Sequence, residues 1–127
     1  MNQSFLKDAP LVEIEDFKKW ILHEDENLLV IDKPGWLVCH PSKNGPFSSL
    51  VGTAKEYLKT QTLHLVSRLD RETSGVVMLA KNRKAASYWQ KGVERKTVRR
   101  YYLAILEGVV DEPQKVATFL GKDPLSA

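Results

Sequence analysis

Residues 64–75 read HLVSRLDRETSG, and the run 76–80, VVMLA, follows directly. Leu63 to Val66 and Val76 to Ala80 are short and apolar, the pattern of two strands that want burial. Between them stand Arg68, Asp70, Arg71 and Glu72, then Thr73, Ser74 and Gly75. A carboxylate placed where a buried strand ends is desolvated unless it is paired or hydrogen-bonded. Arg68 and Arg71 are near enough in sequence to supply charge. Thr73 and Ser74 can cap the following backbone, and Gly75 can take a φ that other residues avoid. Two readings follow from these residues alone. One is a positioned carboxylate, Asp70, able to act as nucleophile or base. The other is an Asx-type turn with a surface ion pair. Phosphoryl transfer is set aside, because Asp70, Glu72 and Ser74 do not make the Asp-x-Asp-x-Thr pattern and there is no GxxxxGKT loop.

Outward from this stretch, the pattern is strands interrupted by helices. Glu15 to Leu22 predicts a short amphipathic helix with Phe17, Trp20 and Ile21 on one side. Leu28 to Asp32 predicts a strand, and Lys33-Pro34-Gly35-Trp36 a type II turn with Gly35 at positive φ. Trp36 to His40 continues as strand, and Pro41 to Pro46 is a loop. A helix starts near Ser48 and runs to Leu58. Asn82 is a suitable N-cap for a helix over Arg83 to Lys91, with Gly92 as its stop. Val98 to Leu106 alternates cleanly, with Tyr102, Ala104 and Leu106 on one face and Tyr101, Leu103 and Ile105 on the other. Val116 to Leu120 predicts a weaker last strand. The class is α+β, with a mixed, mainly antiparallel sheet and flanking helices.

The chain has 127 residues, 43% hydrophobic and 28% charged, the balance of an ordinary globular domain. No apolar run approaches the roughly 20 residues that cross a bilayer, and the first ten residues lack the apolar core of a secretion signal. A cytoplasmic location with no membrane partner is expected. Cys39 is the only cysteine, so no internal disulfide forms. The three histidines lie far apart from one another and, with Cys39, show no metal-ligand spacing. Cys39 and His40 are neighbours in a predicted strand and should point to opposite faces. The net charge of +3 is modest, but its distribution is not even. The first 32 residues are rich in acids. From Lys81 to Arg100 there are eight basic residues, Lys81, Arg83 and Lys84 among them, against Glu94 alone. A one-sided basic block suits a phosphate backbone; it also suits a solvated helix face.

The stretch RLDRETSGVVMLAKN closely resembles the signature of the RluA-type pseudouridine synthases, Arg-Leu-Asp-x-x-Thr-Ser-Gly followed by an apolar strand. Upstream, ENLLVIDKPGWLVCHPS resembles that family's strand-turn-strand with Lys-Pro, Gly and His-Pro. Downstream, VRRYYLAILEG resembles its second motif, a basic residue followed by Tyr-x-Ala and Gly. The resemblance covers about residues 24–123. It implies an RNA pseudouridine synthase acting on a uridine in ribosomal or transfer RNA, on a pseudouridine synthase-like catalytic domain, without cofactor or metal. It implies Asp70 as the catalytic carboxylate and Tyr102, in the Tyr-x-Ala register, as the residue that stacks on the target uracil. Arg68 is implied to touch RNA and to fill the space left by a flipped-out uridine. Arg71, Lys81, Arg83 and Lys84 are expected to contact RNA as well, while Thr73, Ser74 and Gly75 support the turn that holds Asp70.

Two departures from the family shape the expectations. Ser67 stands where the family has His before Arg-Leu-Asp. The family's third motif, a Lys or Arg that pairs with the catalytic Asp, has no counterpart here; it belongs to a further ~80–100 residues. Residues 1–23 are thus expected to be a leader and short helix, and 24–127 the N-terminal portion of a catalytic domain that is incomplete at its C-terminal end. Such a piece is expected to have little activity alone and to self-associate through exposed edges. The alternative is a non-catalytic RNA-binding module on the same fold.

Overall fold

The computed structural model describes residues 10–40 and 44–117. The predicted loop residues 41–43, most of the leader, and positions 118–120 of the predicted last strand lie outside them. In chain order the elements are helix α1 (Ile14–Trp20), strands β1 (Ile21–Glu24) and β2 (Leu28–Lys33), a single 3-10 turn (Pro46–Ser48), helix α2 (Leu50–Leu58), strands β3 (His64–Leu65) and β4 (Gly75–Ala80), and helix α3 (Arg83–Glu94). The strands form one antiparallel sheet in the order β1-β2-β4-β3. A lone parallel bridge joins Val38 to Ser49 outside it.

The alternation of side chains along β2 and β4 builds three layers. Leu29 pairs with Leu79 and Ile31 with Val77; these four are buried with Phe17, Leu50, Val51 and Ala54 under α1 and α2. On the other face Leu28 pairs with Ala80 and Val30 with Met78, covered by Ala85, Ala86, Trp89 and Val93 of α3. The aromatic rings of Phe17, Trp20, Tyr57 and Trp36 are in edge or tilted contact along the first face. The end of the second face beyond α3 is open, with Val76 exposed beside Asp32.

Helix starts follow the expected chemistry. Ser49 Oγ accepts the Gly52 amide at 2.9 Å, and Asn82 Oδ1 accepts the Ala85 amide at 2.8 Å. Both satisfy N–H groups that a helix cannot satisfy itself. Gly92 does not stop α3, which runs on to Glu94. Its small size serves instead to let the chain fold back: the amides of Thr97 and Val98 both bond the Gly92 carbonyl, at 2.9 and 3.0 Å. A β-carbon at 92 would lie 2.9 Å from Val98 Cγ2. The outer edge of the short β3 is met by α3, where Gln90 Nε2 donates to the Leu65 carbonyl at 3.1 Å; a covered edge cannot recruit another strand.

Three expectations are corrected. The turn after β2 is centred on Gly35 and Trp36, one residue later than read from the sequence, with the Leu37 amide reaching the Pro34 carbonyl at 3.5 Å. Gly35 does not take a positive φ; it is needed for close approach, since a β-carbon there would sit 3.2 Å from the Glu72 carbonyl oxygen. Trp36 to His40 is not a strand beyond the bridge at Val38, because the carbonyls of Val38 and Cys39 bond the amides of Leu50 and Val51 at 2.9 Å each and so cap α2. Finally, Val98 to Leu106 joins no sheet among the described residues, and Tyr101 through Ala117 is exposed. Alternation alone does not make a strand; a partner edge must be offered.

Lys33 is fully buried at the end of β2. Its Nζ donates to three backbone carbonyls, Leu37 at 2.6 Å, Pro34 at 2.9 Å and Arg71 at 3.0 Å. All three ammonium protons are thereby matched. Burial lowers the Lys33 pKa below its ordinary value, and the neighbouring Cys39, Glu72 and Asp70 pull the other way. A second polar knot lies at the opposite end of the sheet. Glu24 accepts Lys81 Nζ at 3.0 Å and the Tyr57 hydroxyl at 2.9 Å, joining β1, α2 and the end of β4.

Replacing Lys33 by Met leaves the Leu37 and Arg71 carbonyls without a donor and the Pro34 carbonyl with only the long bond from the Leu37 amide. The substitution is expected to cost about 1–3 kcal/mol, read as a lowered urea midpoint by tryptophan fluorescence. Lys33→Arg should not restore it, because a planar guanidinium cannot aim at three converging carbonyls. An unchanged midpoint in Lys33→Met would refute the role given to this ammonium. The Glu24 knot carries a pH signature. The Lys81 hydrogen bond holds the Glu24 pKa below 4.5, so its contribution is complete above that value and fades as pH falls through the lower folded-state one. Urea midpoints of the unaltered chain and of Glu24→Gln should therefore differ at neutral pH and converge under acid.

Candidate active site

Asp70 lies in the turn between β3 and β4, and backbone contacts from the first strand-turn segment hold that turn in place. Lys33 grips the Arg71 carbonyl from below. The Cys39 thiol donates to the Leu69 carbonyl at 3.4 Å. Gly35 packs flat against the Glu72 carbonyl. Within the turn, the Thr73 amide closes on the Asp70 carbonyl at 3.1 Å. The residues on either side of Asp70 are thus fixed from outside, through their main chain, while the Asp70 side chain itself faces solvent.

Gly75 begins β4 at φ +133°, in the region that favours glycine, and faces Lys33 in the ladder. The turn expected from the sequence is there, and Gly75 takes the φ anticipated for it. The capping roles read for Thr73 and Ser74 are not seen: neither hydroxyl makes a hydrogen bond among the described residues, and the turn closes through the backbone. Nor do Arg68 and Arg71 pair with Asp70. All three side chains are exposed, and among the described residues the Asp70 carboxylate has no ion pair. The cation that sits under the turn is Lys33, whose hydrogen bonds go to carbonyl oxygens and which meets the acid only as a nearby charge.

The other expected residues are spread along the molecule. Lys81, at the far end of β4, is held by Glu24. Arg83 and Lys84 open α3 with exposed side chains. Tyr102 lies in the exposed segment after α3, its hydroxyl accepting from Arg100, whose guanidinium stands 5.6 Å from the ring centre. No hydrogen bond or ring contact joins Tyr102 to Asp70 among the described residues. Lys33 and Cys39 hold the Asp70 turn, a role that sequence reasoning did not give them. The signal for Lys33 was its position: it occupies the inward register of β2, two residues after Ile31.

Comparison with known proteins fits this arrangement. The family described as RNA pseudouridylate synthase matches residues 27–124. An uncharacterized RNA pseudouridine synthase of Mycoplasma pneumoniae, the MG209 homolog, is 42% identical over 87% of this chain and 36% of its own length. Ribosomal large subunit pseudouridine synthase D of Neisseria meningitidis is 32% identical over 82% of this chain and 29% of its own. Among solved structures, human RNA pseudouridylate synthase domain containing 4 superposes with a TM-score of 0.54 at 32% identity, over 66% of this chain and 33% of that one. The chain spans about a third of the length of these curated relatives. The match runs through both the Lys33 turn and the Asp70 turn, and the chain belongs to the RNA pseudouridylate synthase family, of the RluA type that its motifs resemble.

Proposed function

We propose that this chain supplies the N-terminal portion, residues 24–127, of the catalytic domain of an RNA pseudouridine synthase acting in the cytoplasm, with Asp70 as its catalytic carboxylate. The observation that carries this reading is the Asp70 turn: three separate contacts from residues 33–39 fix its backbone, while its carboxylate is left open to solvent. A surface ion-pair turn needs no such support from beneath.

The chemistry asked of the site is an isomerisation. The N1–C1′ bond of a uridine breaks, the uracil turns, and a C5–C1′ bond forms. N1 gains a proton and C5 loses one, so nothing is oxidised or reduced. Asp70 acts on the nucleoside as nucleophile or base, which requires the uridine to leave the base stack. Arg68, two residues before Asp70 and exposed, is positioned in sequence to follow the extruded base, with Arg71 beside it. Tyr102 is assigned to the uracil, carried there by the segment after α3 when that segment meets the rest of a catalytic domain. Arg83 and Lys84 contact RNA phosphates; Lys81 contributes less, its charge being shared with Glu24. The name of the Neisseria meningitidis relative specifies the large ribosomal subunit, which supports ribosomal RNA as the substrate. The exposed apolar side chains of residues 103–116 support self-association when this piece stands alone.

One observation favours a second reading, a non-catalytic RNA-binding module: among the described residues Asp70 makes no ion pair. Tritium release from RNA carrying 5-³H-uridine separates the two. In the polypeptide that joins this segment to the remainder of its catalytic domain, Asp70→Ala should cut release by about 10²–10⁴-fold or more while RNA is still retained. Release at an unchanged rate would defeat the assignment of Asp70, and its absence from the unaltered polypeptide would favour the module.

A further inference from the structure

A shallow cleft of about 360 Å³ lies at the opposite end of β4 from Asp70, lined by Asn27, Asn82, Lys84, Ala85, Tyr88 and Trp89. The six residues of β4 separate the two places by roughly 17 Å at ~3.4 Å per residue. A group held in the cleft is therefore not the group at Asp70.

The floor of the cleft is fixed. Asn82 caps α3 through Oδ1, and its Nδ2 donates to Asn27 Oδ1 at 2.9 Å. The Lys81 amide bonds the Asn27 carbonyl at 2.8 Å. Trp89 is partly buried, packed against Leu28, Val66, Ala80, Ala85 and Ala86, and it meets Tyr88 edge-on, with ring centres 5.2 Å apart at 83°. Tyr88 is held by that contact, yet it is 69% exposed, and its hydroxyl has no hydrogen bond among the described residues. Asn27 uses only its oxygen toward Asn82, so both hydrogens of its Nδ2 remain free among the described residues. Lys84 has no carboxylate partner among them.

An uncovered aromatic face, a free amide donor and an unpaired cation around one cleft suit one ligand chemistry. A nucleobase stacks on the ring, its edge accepts from the amide, and its phosphate meets the lysine. A duplex would bring the phosphates but offer no free base face, and an acidic peptide would use Lys84 and leave the ring idle. We propose that this cleft binds an unpaired nucleobase of the RNA substrate, distinct from the target uridine, with Tyr88 as the stacking platform, Asn27 reading the base edge and Lys84 on the phosphate. The proposal rests on the RNA reading above and extends it to a second contact, one that anchors looped or single-stranded substrate away from the reacting base.

The test uses the 127-residue chain and a short fluorescent single-stranded RNA, beside the same RNA annealed to its complement. Tyr88→Ala should weaken single-strand binding about 5- to 100-fold, with unchanged circular dichroism because the side chain lies outside the core. Tyr88→Phe should stay within about twofold, since the stacking face is kept. Duplex binding should not respond to either. Lys84→Gln should weaken single-strand binding and reduce its salt slope by about one. Equal binding by the unaltered chain and Tyr88→Ala would overturn the cleft proposal and leave the RNA reading standing. An equal loss on the duplex would overturn it too, because the platform would then not be reading an unpaired base. Failure of the unaltered chain to retain any RNA would overturn both.

Discussion

The Lys33 ammonium holds together the two pieces of chain on which the site depends. Strand β2 ends there, the Pro34–Leu37 turn wraps over it, and the Asp70 turn rests on it through the Arg71 carbonyl. A buried cation without a counter-charge is costly. Here three carbonyl dipoles converge on it, and the nearby acids Glu72 and Asp70 favour its charged form. Because two N–H groups point at the Pro34–Leu37 turn and the third at the Asp70 turn, the lysine fixes their relative positions more closely than apolar packing would. Non-directional burial tolerates sliding, whereas three short hydrogen bonds from one atom do not.

The layers serve that arrangement. The face of β2 that carries Leu29 and Ile31 into the α1/α2 core carries Lys33 inward as well, so the register that buries the core also delivers the ammonium beneath the turn. A slip of one residue would send Lys33 to the α3 side and Asp32 into its place. The same register leaves the α3 face to a smaller cluster, where Trp89 is the largest side chain. The molecule thus has a heavily packed side that positions the Asp70 turn and a lighter side that presents basic and aromatic groups to solvent.

Much of this was legible in the sequence where the signal is local. Asn82 caps its helix as read, the strands around the Asp70 turn are where the apolar runs put them, and Gly75 takes the backbone conformation expected of it. The misses are of another kind. A lysine is read as exposed by default, so apart from the Lys-Pro of the family resemblance the only sign of burial at Lys33 was its register. Gly35 was given a φ-based role when its real constraint is a carbonyl from a turn some 37 residues later in the chain, a contact that no window of sequence reveals. Strand β1 has four residues, and none of them is fully buried, too weak a pattern to separate from the end of the helix before it. The alternation in residues 98–106 is clear, yet pairing depends on an edge that the described residues do not provide.

The return of the chain at Gly92 has a further consequence. Thr97 and Val98 both hang from one carbonyl, and Val98 nests where a side chain at position 92 would otherwise be. The heading of the described residues that follow, Tyr102 included, therefore depends on the lack of a single methyl group. Any larger residue at that point would swing the tyrosine-bearing arm to a new bearing without touching either the sheet or the acid, so aim and framework can be altered separately in this molecule.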